Sequence, residues 1–331
     1  MKLIPHGLRQ VARLTLLPVL ALCLQTAPAQ ADSYPSKPIR LVVPFPAGGG
    51  TDIIARAIGQ QLTESRQWTV VVDNKPGAGG NLGVDAVAKA APDGYTVVLG
   101  QTSNLAINPA LYAKLPYDPL KDLKPVVLAA TAPLVIVVPN SSRYKTLAEV
   151  LAAARQAPGT LVFGTPGNGT VAHLAMEQLQ KAAGIRLQHV PYKGSAQALT
   201  DLMGGQMELY VSSIPTAISH LKGGRMRALA VTSDKRSPQL PQVPTVAESG
   251  VKGFEATTWF GFMAPAATPA PALATLNTAI NQALQTPAVR SRLMGEGGEV
   301  LGGSQAEFAA LLKTDLQRWG RIVREADARI D

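Results

Sequence analysis

Cysteine is almost absent from this chain of 331 residues, which has one, Cys23. That residue lies in an N-terminal segment with the pattern of a removable leader. The mature chain would then contain no thiol, which excludes a disulfide framework and a cysteine nucleophile. Lipid attachment at Cys23 is an alternative that the sequence disfavours, because a lipoprotein leader needs a small residue before its cysteine and Leu22 is not small.

The first 31 residues have the three parts of an export signal. The start is basic, with Lys2, Arg9 and Arg13. An apolar stretch over 14–24 is too short to cross a bilayer of roughly 30 Å, and the Ala-Gln-Ala of 29–31 matches the pattern before a cleavage site. The alternative, a buried N-terminal helix, is interrupted by Pro18. We therefore predict a signal peptide over 1–31, cleavage before Asp32 and a periplasmic protein.

Long runs of one charge are also missing. The formal net charge of +9 falls to +6 when the three basic residues of the leader are removed, and no run of five basic residues occurs. A dispersed excess of this size argues against nucleic-acid binding, although it can steer anionic solutes toward the surface. The hydrophobic fraction of 46% and the roughly 300 residues after the leader predict a globular protein of two domains.

Patterns of catalytic residues are absent as well. The chain has four histidines, which are scattered, and no Gly-x-Ser-x-Gly sequence. His173 and Glu177 are four residues apart on a predicted helix and could contact one metal ion. Two ligands do not form a site, however, and we favour a polar helix start near a cleft. His189 and His220 are interpreted as structural or surface residues. We predict no enzyme, no metal site and no cofactor.

Short β-branched runs alternate with helical patterns along most of the chain, which predicts an α/β protein with mostly parallel sheets. The first strand, over 39–43, precedes a glycine-rich turn and a helix that starts near Asp52. Two helices are predicted near the C-terminus, over 271–283 and 304–324. The further strands are predicted over 69–72, 96–99, 126–138, 161–164, 187–190, 208–211 and 228–231.

The apolar stretch over 125–139 is too long for an ordinary strand and contains Thr131-Ala132-Pro133, which we expect to break it. We predict that the chain crosses there from one lobe to another and returns after Val231. Two connections of this kind form a hinge, which permits closure around a ligand. The predicted lobes are 32–131 plus 235–331, and 132–234.

Glycine-rich loops follow strands in both predicted lobes. The first, over 44–52, contains three consecutive glycines and starts the first helix, so its free N–H groups and the positive end of the helix dipole can attract an anion. Thr51 and Asp52 can cap that helix. An ordinary tight turn is the alternative for this loop alone. A second loop, over 164–170, repeats the arrangement in the other lobe, and we predict that both loops face one cleft.

A third glycine-rich loop, over 74–83, also follows a strand and opens a helix. Neither nucleotide-binding fingerprint fits these loops. The dinucleotide pattern needs glycine where Leu82 stands, and no loop ends in Gly-Lys-Ser/Thr. The third loop is as compatible with a scaffolding role as with ligand contact.

Several ordered sequence blocks together resemble one known family. They are Tyr34–Ile39, Val43–Asp52, Asn74–Gly80, Asn108–Tyr112, Leu115–Asp118, His189–Gly194 and Val243–Thr245. Over essentially the whole mature chain, the sequence is similar to the extracytoplasmic solute receptors of the tripartite tricarboxylate transporter family, the Bug receptors. The resemblance implies a two-lobed, type 2 periplasmic-binding-protein (Venus flytrap) fold with a central ligand cleft. It also implies a receptor, expected to be a monomer, that delivers a small mono- or dicarboxylate to membrane transporter subunits.

The resemblance further implies which residues hold the carboxylate, largely through backbone amides and water. By position, the implied ligand-binding residues are Phe45, Ala47, Gly49, Thr51, Asp52, Gln101, Ser103, Asn104, Thr165, Asn168, Gly169, Thr170 and Tyr192. Lys193 could reach a ligand carboxylate, but a solvated position at the cleft edge is an equal alternative. Trp259 is interpreted mainly as strand core, with a position in the pocket wall as the alternative.

One departure from the family pattern concerns specificity. Many relatives have an acidic residue where this chain has Ser212-Ser213-Ile214-Pro215, and an acidic group there could pair with a ligand amine. Serine cannot do so, which favours carboxylates without an amino group unless Asp52 or Glu208 supplies the charge. Docking on a membrane signalling protein is the alternative to transport, and the sequence does not separate the two.

Overall fold

The computed structural model describes residues 1, 34–295, 298–326 and 328. The predicted leader, its cleavage site and Cys23 lie outside the described residues. The strands are β1 Ile39–Val43, β2 Val70–Asn74, β3 Thr96–Gln101, β4 Leu123–Pro139, β5 Val162–Thr165, β6 Gln188–Pro191, β7 Leu209–Ser213, β8 Met226–Val231, β9 Thr257–Pro265 and β10 Glu299–Val300. The α-helices are α1 Gly50–Arg66, α2 Asn81–Ala88, α3 Asn108–Leu111, α4 Leu147–Gln156, α5 Val171–Ala183, α6 Ser195–Met203, α7 Ile214–Lys222, α8 Ala270–Gln285, α9 Pro287–Gly295 and α10 Gln305–Glu325.

Each of two sheets combines parallel strands with antiparallel ones. In the first sheet β1 pairs in parallel with β2 and β3, and β9 lies antiparallel between β3 and β4. In the second sheet β5 pairs in parallel with β6 and β7, while β7 and β8 pair antiparallel with β4. The α/β class is as predicted. The sheets are mixed rather than mostly parallel because β4 and β9 run against their neighbours.

Strand β4 belongs to both sheets. Its first part, Leu123–Pro133, pairs with β9, and its second part, Leu134–Pro139, pairs with β7 and β8. The expectation that Thr131-Ala132-Pro133 would break this stretch was wrong, because β4 runs for 17 residues. Pro133 lies where the pairing partner changes, so its missing N–H falls at the switch between the sheets and not in the middle of a ladder.

Thr232, directly after β8, joins the two connections between the sheets. Leu134 N–H donates to Thr232 Oγ1 at 2.8 Å, and Thr232 N–H donates to Leu134 O at 3.0 Å. Just before β9 begins, Ala256 N–H donates to Thr232 O at 2.8 Å. Both connections therefore lie side by side at one buried point, which is the geometry of a hinge.

The loop over 237–245, here called the proline-punctuated loop because it contains Pro238, Pro241 and Pro244, lies between β8 and β9 and packs against the second sheet. Thr245 forms a bridge with Val231, and Leu240 joins a core cluster with Val135 and Tyr210. The loop therefore packs with the lobe predicted over 132–234. The predicted limits, which remain a prediction, assign it to the lobe of 32–131 plus 235–331.

Helices α8 and α10 confirm the two helices predicted near the C-terminus. Helix α10 starts with a capping box, in which Ser304 Oγ accepts from Glu307 N–H at 3.2 Å and Ser304 N–H donates to Glu307 Oε2 at 2.7 Å. Helix α9 was not predicted, because its buried side chains, Val289 and Leu293, form too narrow an apolar face to be recognised. Among the described residues, no helix is both long and apolar enough to span a bilayer.

Candidate functional site

The first glycine loop ends at Gly49, the N-cap of α1. Gly48 has a φ of +82°, a left-handed conformation that glycine adopts without steric cost. Contrary to the sequence prediction, neither Thr51 nor Asp52 caps the helix, since the N-cap position has no side-chain hydrogen bond. The first N–H groups of α1 therefore have no partner within the helix, and the positive end of its dipole lies beside the loop.

The carboxylate of Asp52 is fully engaged in hydrogen bonds with neighbouring groups of the protein. Its Oδ2 accepts from Gly48 N–H at 3.0 Å and from Arg56 Nε at 2.9 Å, and its Oδ1 accepts from Asn74 Nδ2 at 2.9 Å. Burial by itself would raise the pKa of Asp52, but the hydrogen bonds from Arg56, Gly48 and Asn74 hold it below its usual value. Asp52 thus shapes the loop, and its charge is balanced by Arg56.

The second glycine loop joins β5 to α5. Thr170 caps α5, because its Oγ1 accepts from His173 N–H at 3.3 Å. Gly169 N–H donates to His173 Nδ1 at 3.3 Å, and a Cβ added to Gly169 would collide with Leu111, which follows β3 in the chain. Asn168 at the tip of the loop is exposed. Two of the predicted ligand-binding groups, the Thr170 hydroxyl and the Gly169 amide, therefore already have protein partners.

Both predicted loops lie at one cleft between the sheets. A Cβ on Gly194 would lie 3.4 Å from Pro46 Cγ in the first loop, and Gly194 N–H donates to Pro166 O in the second loop at 3.0 Å. Close by, a Cβ on Gly50 would lie 3.2 Å from Ser213 Oγ at the end of β7. A methyl group at either position would already touch the facing segment, so the two sides of the cleft lie close together here and the cleft is closed in this structure.

Residues directly after β3 place two buried polar groups next to the first loop. Asn104 Oδ1 accepts from Gln101 N–H at 3.0 Å, but Asn104 Nδ2 and Ser103 Oγ have no hydrogen-bond partner in the part of the chain that the structure describes. Asn104 is 0% exposed and Ser103 is 2% exposed. Directly before them, Thr102 Oγ1 accepts from the backbone N–H of Trp259 at 2.9 Å and is therefore structural. Buried polar groups without partners are costly, which makes Ser103 and Asn104 candidate ligand contacts.

The third glycine loop holds Asn104 in place. A Cβ on Gly80 would lie 2.6 Å from Asn104 Nδ2, so only glycine leaves room for that amide. Behind it, Asn108 Nδ2 donates to Asn81 Oδ1 at 2.6 Å, and Tyr117 Oη donates to Asn104 O at 2.6 Å. These contacts favour the scaffolding role for the third loop. Sequence reasoning missed this polar network, although two of the ordered blocks, Asn108–Tyr112 and Leu115–Asp118, contain part of it.

The remaining predicted contacts differ in how available they are. Tyr192 Oη donates to Asp201 Oδ2 at 2.9 Å, and burial, together with this carboxylate, raises the pKa of Tyr192 to about 12. Phe45 is half-buried, whereas Ala47 and Lys193 are exposed. Tyr192 can therefore contact a ligand with its ring or with an oxygen lone pair, but its hydroxyl hydrogen is in use.

Trp259 lies in the core, in agreement with the favoured sequence interpretation. Its indole N–H donates to the buried carboxylate of Asp315 at 2.6 Å, and its ring meets Phe308 edge to face at 5.4 Å. The indole is thus held by Asp315 and Phe308, and it is the backbone N–H of Trp259 that donates to Thr102.

Two stacked histidines lie behind the second glycine loop. The rings of His173 and His189 are 4.3 Å apart and nearly parallel, and Phe163 stacks on the other side of His189 at 4.8 Å. His189 Nε2 lies 2.7 Å from the hydroxyl of Thr165, another predicted ligand-binding residue. Burial lowers the pKa of His173 to about 4 and that of His189 to about 3, so both rings are neutral at pH 7.

The pair of His173 and Glu177 does not form a metal site of the kind considered from the sequence. His173 Nε2 is 3.8 Å from Glu177 Oε1, and no third potential ligand from the described ranges joins them. Within the described residues, no group of three or more His, Cys, Asp or Glu side chains could hold a metal ion.

The free energy of unfolding is expected to decrease as the pH falls from about 6.5 toward 4. The unfolded chain protonates His173 near its usual pKa of 6.5, whereas the folded chain does so at about 4. Stability from the neutral ring is therefore complete above pH 6.5 and is lost as the pH falls, by roughly 3 kcal/mol in total. Urea unfolding at several pH values measures this loss. The variant His173→Asn, whose side chain does not titrate, should lose less stability over this pH range. Equal losses in the wild type and the variant would contradict the attribution of the effect to His173.

Two surface cavities lie away from the cleft. One of about 530 Å³ lies between the start of α4, β8 and the proline-punctuated loop, and one of about 390 Å³ lies between α5 and the end of α10. No residue of the first or second glycine loop lines either cavity. Neither contains the buried unpartnered donors, so we assign the functional site to the closed cleft.

A hinged α/β chain with two lobes, whose glycine loops close on buried polar donors, has the architecture of a periplasmic solute-binding protein. The chain belongs to the tripartite tricarboxylate transporter receptor family, whose family model matches residues 54–328. It is 42% identical over 322 residues to the UPF0065 protein in the tcbD-tcbE intergenic region of Pseudomonas sp. strain P51, with 96% of each chain covered. It is 38% identical to protein BugT of Bordetella pertussis, covering 95% of this chain and 98% of BugT.

Solved structures agree with this assignment. The R. palustris protein Rpa4515 with adipate has a TM-score of 0.87 and 36% identity, covering 90% of this chain and all of that one. MatC of Rhodopseudomonas palustris with bound malate has a TM-score of 0.82 and 32% identity, and the match covers 88% of this chain and 100% of MatC. The periplasmic binding protein BugD has a TM-score of 0.84 and 34% identity, covering 89% and 99%. The family consists of receptors, which confirms the prediction that this protein is not an enzyme.

Proposed function

We propose that this receptor captures a small mono- or dicarboxylate in the periplasm and delivers it to the membrane subunits of a tripartite tricarboxylate-type transporter. The observation that carries the proposal is that, among the residues the structure describes, the buried Ser103 Oγ and Asn104 Nδ2 have no hydrogen-bond partner, while the N-cap of α1 has no side-chain hydrogen bond. A carboxylate accepts several hydrogen bonds at once and suits such a set of donors. Solved relatives that hold adipate and malate support the same chemistry.

Neutral donors are sufficient for useful affinity. Hydrogen bonds to a charged group contribute roughly 1.5–3 kcal/mol each, and a helix N-terminus adds roughly 0.3–2 kcal/mol. A few such contacts per carboxylate can reach the approximately −8 kcal/mol of micromolar binding after the cost of association. No cationic side chain is required.

The thirteen residues implied by the resemblance remain proposed contacts with different roles. We propose that Ser103, Asn104 and the amides of Gly49, Thr51 and Asp52 contact the carboxylate. In this proposal the Thr165, Gly169 and Thr170 groups hold the second loop, because each has a protein partner. Phe45, Ala47, Gln101, Asn168 and Tyr192 complete the cleft wall.

We further propose that the solute has no amino group. The carboxylate of Asp52 is engaged by Arg56, and Glu208 Oε2 accepts from Val162 N–H at 2.8 Å at the start of β7, opposite to the end that reaches the cleft. Ser212 and Ser213 stand where an acidic residue would pair with an ammonium group. An amino acid would therefore bury a cation without a partner, which is unfavourable.

A thermal-shift screen tests the function and the solute class together. Adipate or malate, at about 1,000 times the dissociation constant, is expected to raise the Tm by roughly 5 °C or more. Aspartate, which has the carboxylates of a dicarboxylic acid and an added amine, should produce a smaller shift than succinate. A shift from sugars or cations alone would contradict the receptor proposal, and a larger shift from aspartate would contradict the exclusion of amines.

Ser103→Ala is expected to weaken carboxylate binding about tenfold with little change in the stability of the ligand-free protein, because the hydroxyl has no described protein partner. Thr102→Val is the matched control. It removes the acceptor for Trp259 N–H, so it should cost about 1–3 kcal/mol of stability and leave affinity nearly unchanged. Isothermal titration and urea unfolding of both variants measure the two effects. The opposite pattern would remove Ser103 from the site.

We also propose that residues 1–31 are a signal peptide, that the lobes are 32–131 plus 235–331 and 132–234, and that the receptor is a monomer. Intact-mass measurement of the protein recovered from the periplasm should give a chain that begins at Asp32. A mass that includes Cys23 with an attached lipid would contradict the cleavage proposal.

A further inference from the structure

The stacked pair of His173 and His189 holds the second glycine loop at both ends. Near the end of the loop, Gly169 N–H donates to His173 Nδ1, and at its start the Thr165 hydroxyl meets His189 Nε2. The two rings are 4.3 Å apart with an interplanar angle of 14°. Each contact is between a buried or half-buried ring and a loop that closes on the other lobe.

We propose that His173 and His189 are positioning residues, whose neutral stacked state fixes the second glycine loop in the conformation that closes on a bound solute. This inference rests on the proposed carboxylate-binding function. Gly169 has a φ of +71° and packs against Leu111 of the other lobe, so a small displacement of this residue separates the two surfaces. The hydrogen bond from the Gly169 amide to His173 Nδ1 fixes the position of Gly169.

Protonation of His173 would remove this support. Nδ1 accepts the Gly169 hydrogen only when its lone pair is free, and a protonated ring would set one N–H against another. It would also stack a cation on His189. The pKa of His173 is lowered by burial in the closed structure, so closure of the loop favours the neutral ring.

Few charged groups face this pair. On α5, Glu177 Oε1 lies 3.8 Å from His173 Nε2 and accepts from Gln180 Nε2 at 3.0 Å. From α10, Glu325 approaches α5 but faces Lys181 at 4.0 Å. From β5 the pair meets Phe163 and the uncharged Thr165. Glu177 is the one carboxylate of the described residues within 4.0 Å of a nitrogen of either imidazole, and at 3.8 Å it is too far from His173 Nε2 for a direct hydrogen bond.

Two substitutions at position 173 distinguish the effect of the hydrogen-bond acceptor from the effect of the stacked ring. His173→Asn keeps an acceptor near the position of Nδ1 but cannot titrate in this range, and His173→Phe keeps a stacking ring without an acceptor. In ligand-free protein at pH 7, the Gly169 amide should exchange with solvent at similar rates in the wild type and His173→Asn. It should exchange about tenfold faster in His173→Phe. NMR-detected hydrogen exchange measures this. Equal rates in all three proteins would overturn the proposal.

The affinity for malate provides the functional readout. From pH 7 to pH 5, the wild type should lose more affinity than His173→Asn, because an open loop exposes His173 to water, which returns its pKa toward the ordinary value, and closure then requires loss of the proton. The Asn variant corrects for protonation of malate itself. Equal pH dependence would overturn the proposal. If the wild type binds no malate, the proposed solute class is in question, whereas the hydrogen-exchange result still decides the role of His173.

Discussion

Asn104→Asp is expected to raise the dissociation constant of a bound carboxylate at least about 1,000-fold. The substitution keeps the shape of the side chain and the Oδ1 acceptor for Gln101 N–H. It replaces the fully buried Nδ2 donor, which has no partner in the described part of the chain, by an oxygen that carries negative charge when ionised. The loss of the donor and the repulsion between two negative charges both weaken binding of the carboxylate. Isothermal titration with the acid chosen by the thermal-shift screen measures the change.

The charge and the lost donor can be separated with a second variant. Asn104→Ala removes the donor without adding charge, so its affinity loss should be smaller, about 10- to 100-fold. Circular dichroism and urea unfolding establish that both variants are folded. Binding by Asn104→Asp within tenfold of the wild type would show that the amide does not contact the carboxylate. The proposed site would then have to move away from the residues that follow β3.

Gly169→Ala is expected to weaken binding about 100-fold or more by preventing closure. An added Cβ would collide with the side chain of Leu111 from the other lobe, and it would do so only when the lobes are together. The favourable free energy of lobe closure then no longer contributes to ligand binding. Small-angle X-ray scattering in the presence of ligand should show a larger radius of gyration for the variant than for the wild type.

The same protein contains a control for backbone strain. Gly184, at the end of α5, has a φ of +63°, and a Cβ there would meet nothing within 4 Å. Gly184→Ala should therefore have a similar strain cost, roughly 1 kcal/mol, with unchanged affinity. Shortening the opposing side chain with Leu111→Val should restore part of the affinity of Gly169→Ala. Equal affinity losses in Gly169→Ala and Gly184→Ala would attribute the effect to strain instead of closure.

The elements of the fold were largely predictable. Each strand predicted over 39–43, 69–72 and 96–99 is present, since a short β-branched run bounded by turn residues is a local signal. The continuity of β4 through Pro133 was not predictable. Its proline is tolerated because the strand changes partners at that point, and this exchange depends on strands β7 and β9, which are far away in the chain.

The site was predictable in outline and not in its hydrogen bonding. Glycine loops at helix starts and the Ser103-Asn104 segment were found from sequence, whereas the polar network around Asn81, Asn108 and Tyr117 was not. Asparagine and tyrosine in loops and helices have many structural roles, and nothing in their spacing indicates that they meet behind Asn104. The role of His189 was likewise hidden, because its partners, Thr165 and His173, lie on other elements.

By itself, the sequence determined the α/β class, the order of the elements, the family and the two loops that line the cleft. These follow from local periodicity, turn chemistry and ordered motifs, which neighbouring residues carry. The tertiary structure decided which polar groups are free to bind a solute. Asp52 accepts from Asn74, 22 residues away, and Thr102 accepts from Trp259, 157 residues away, while Ser103 Oγ and Asn104 Nδ2 have no partner among the described residues. The availability of a hydrogen-bonding group depends on which distant partners the fold brings to it, and this information is not contained in the residue or its neighbours.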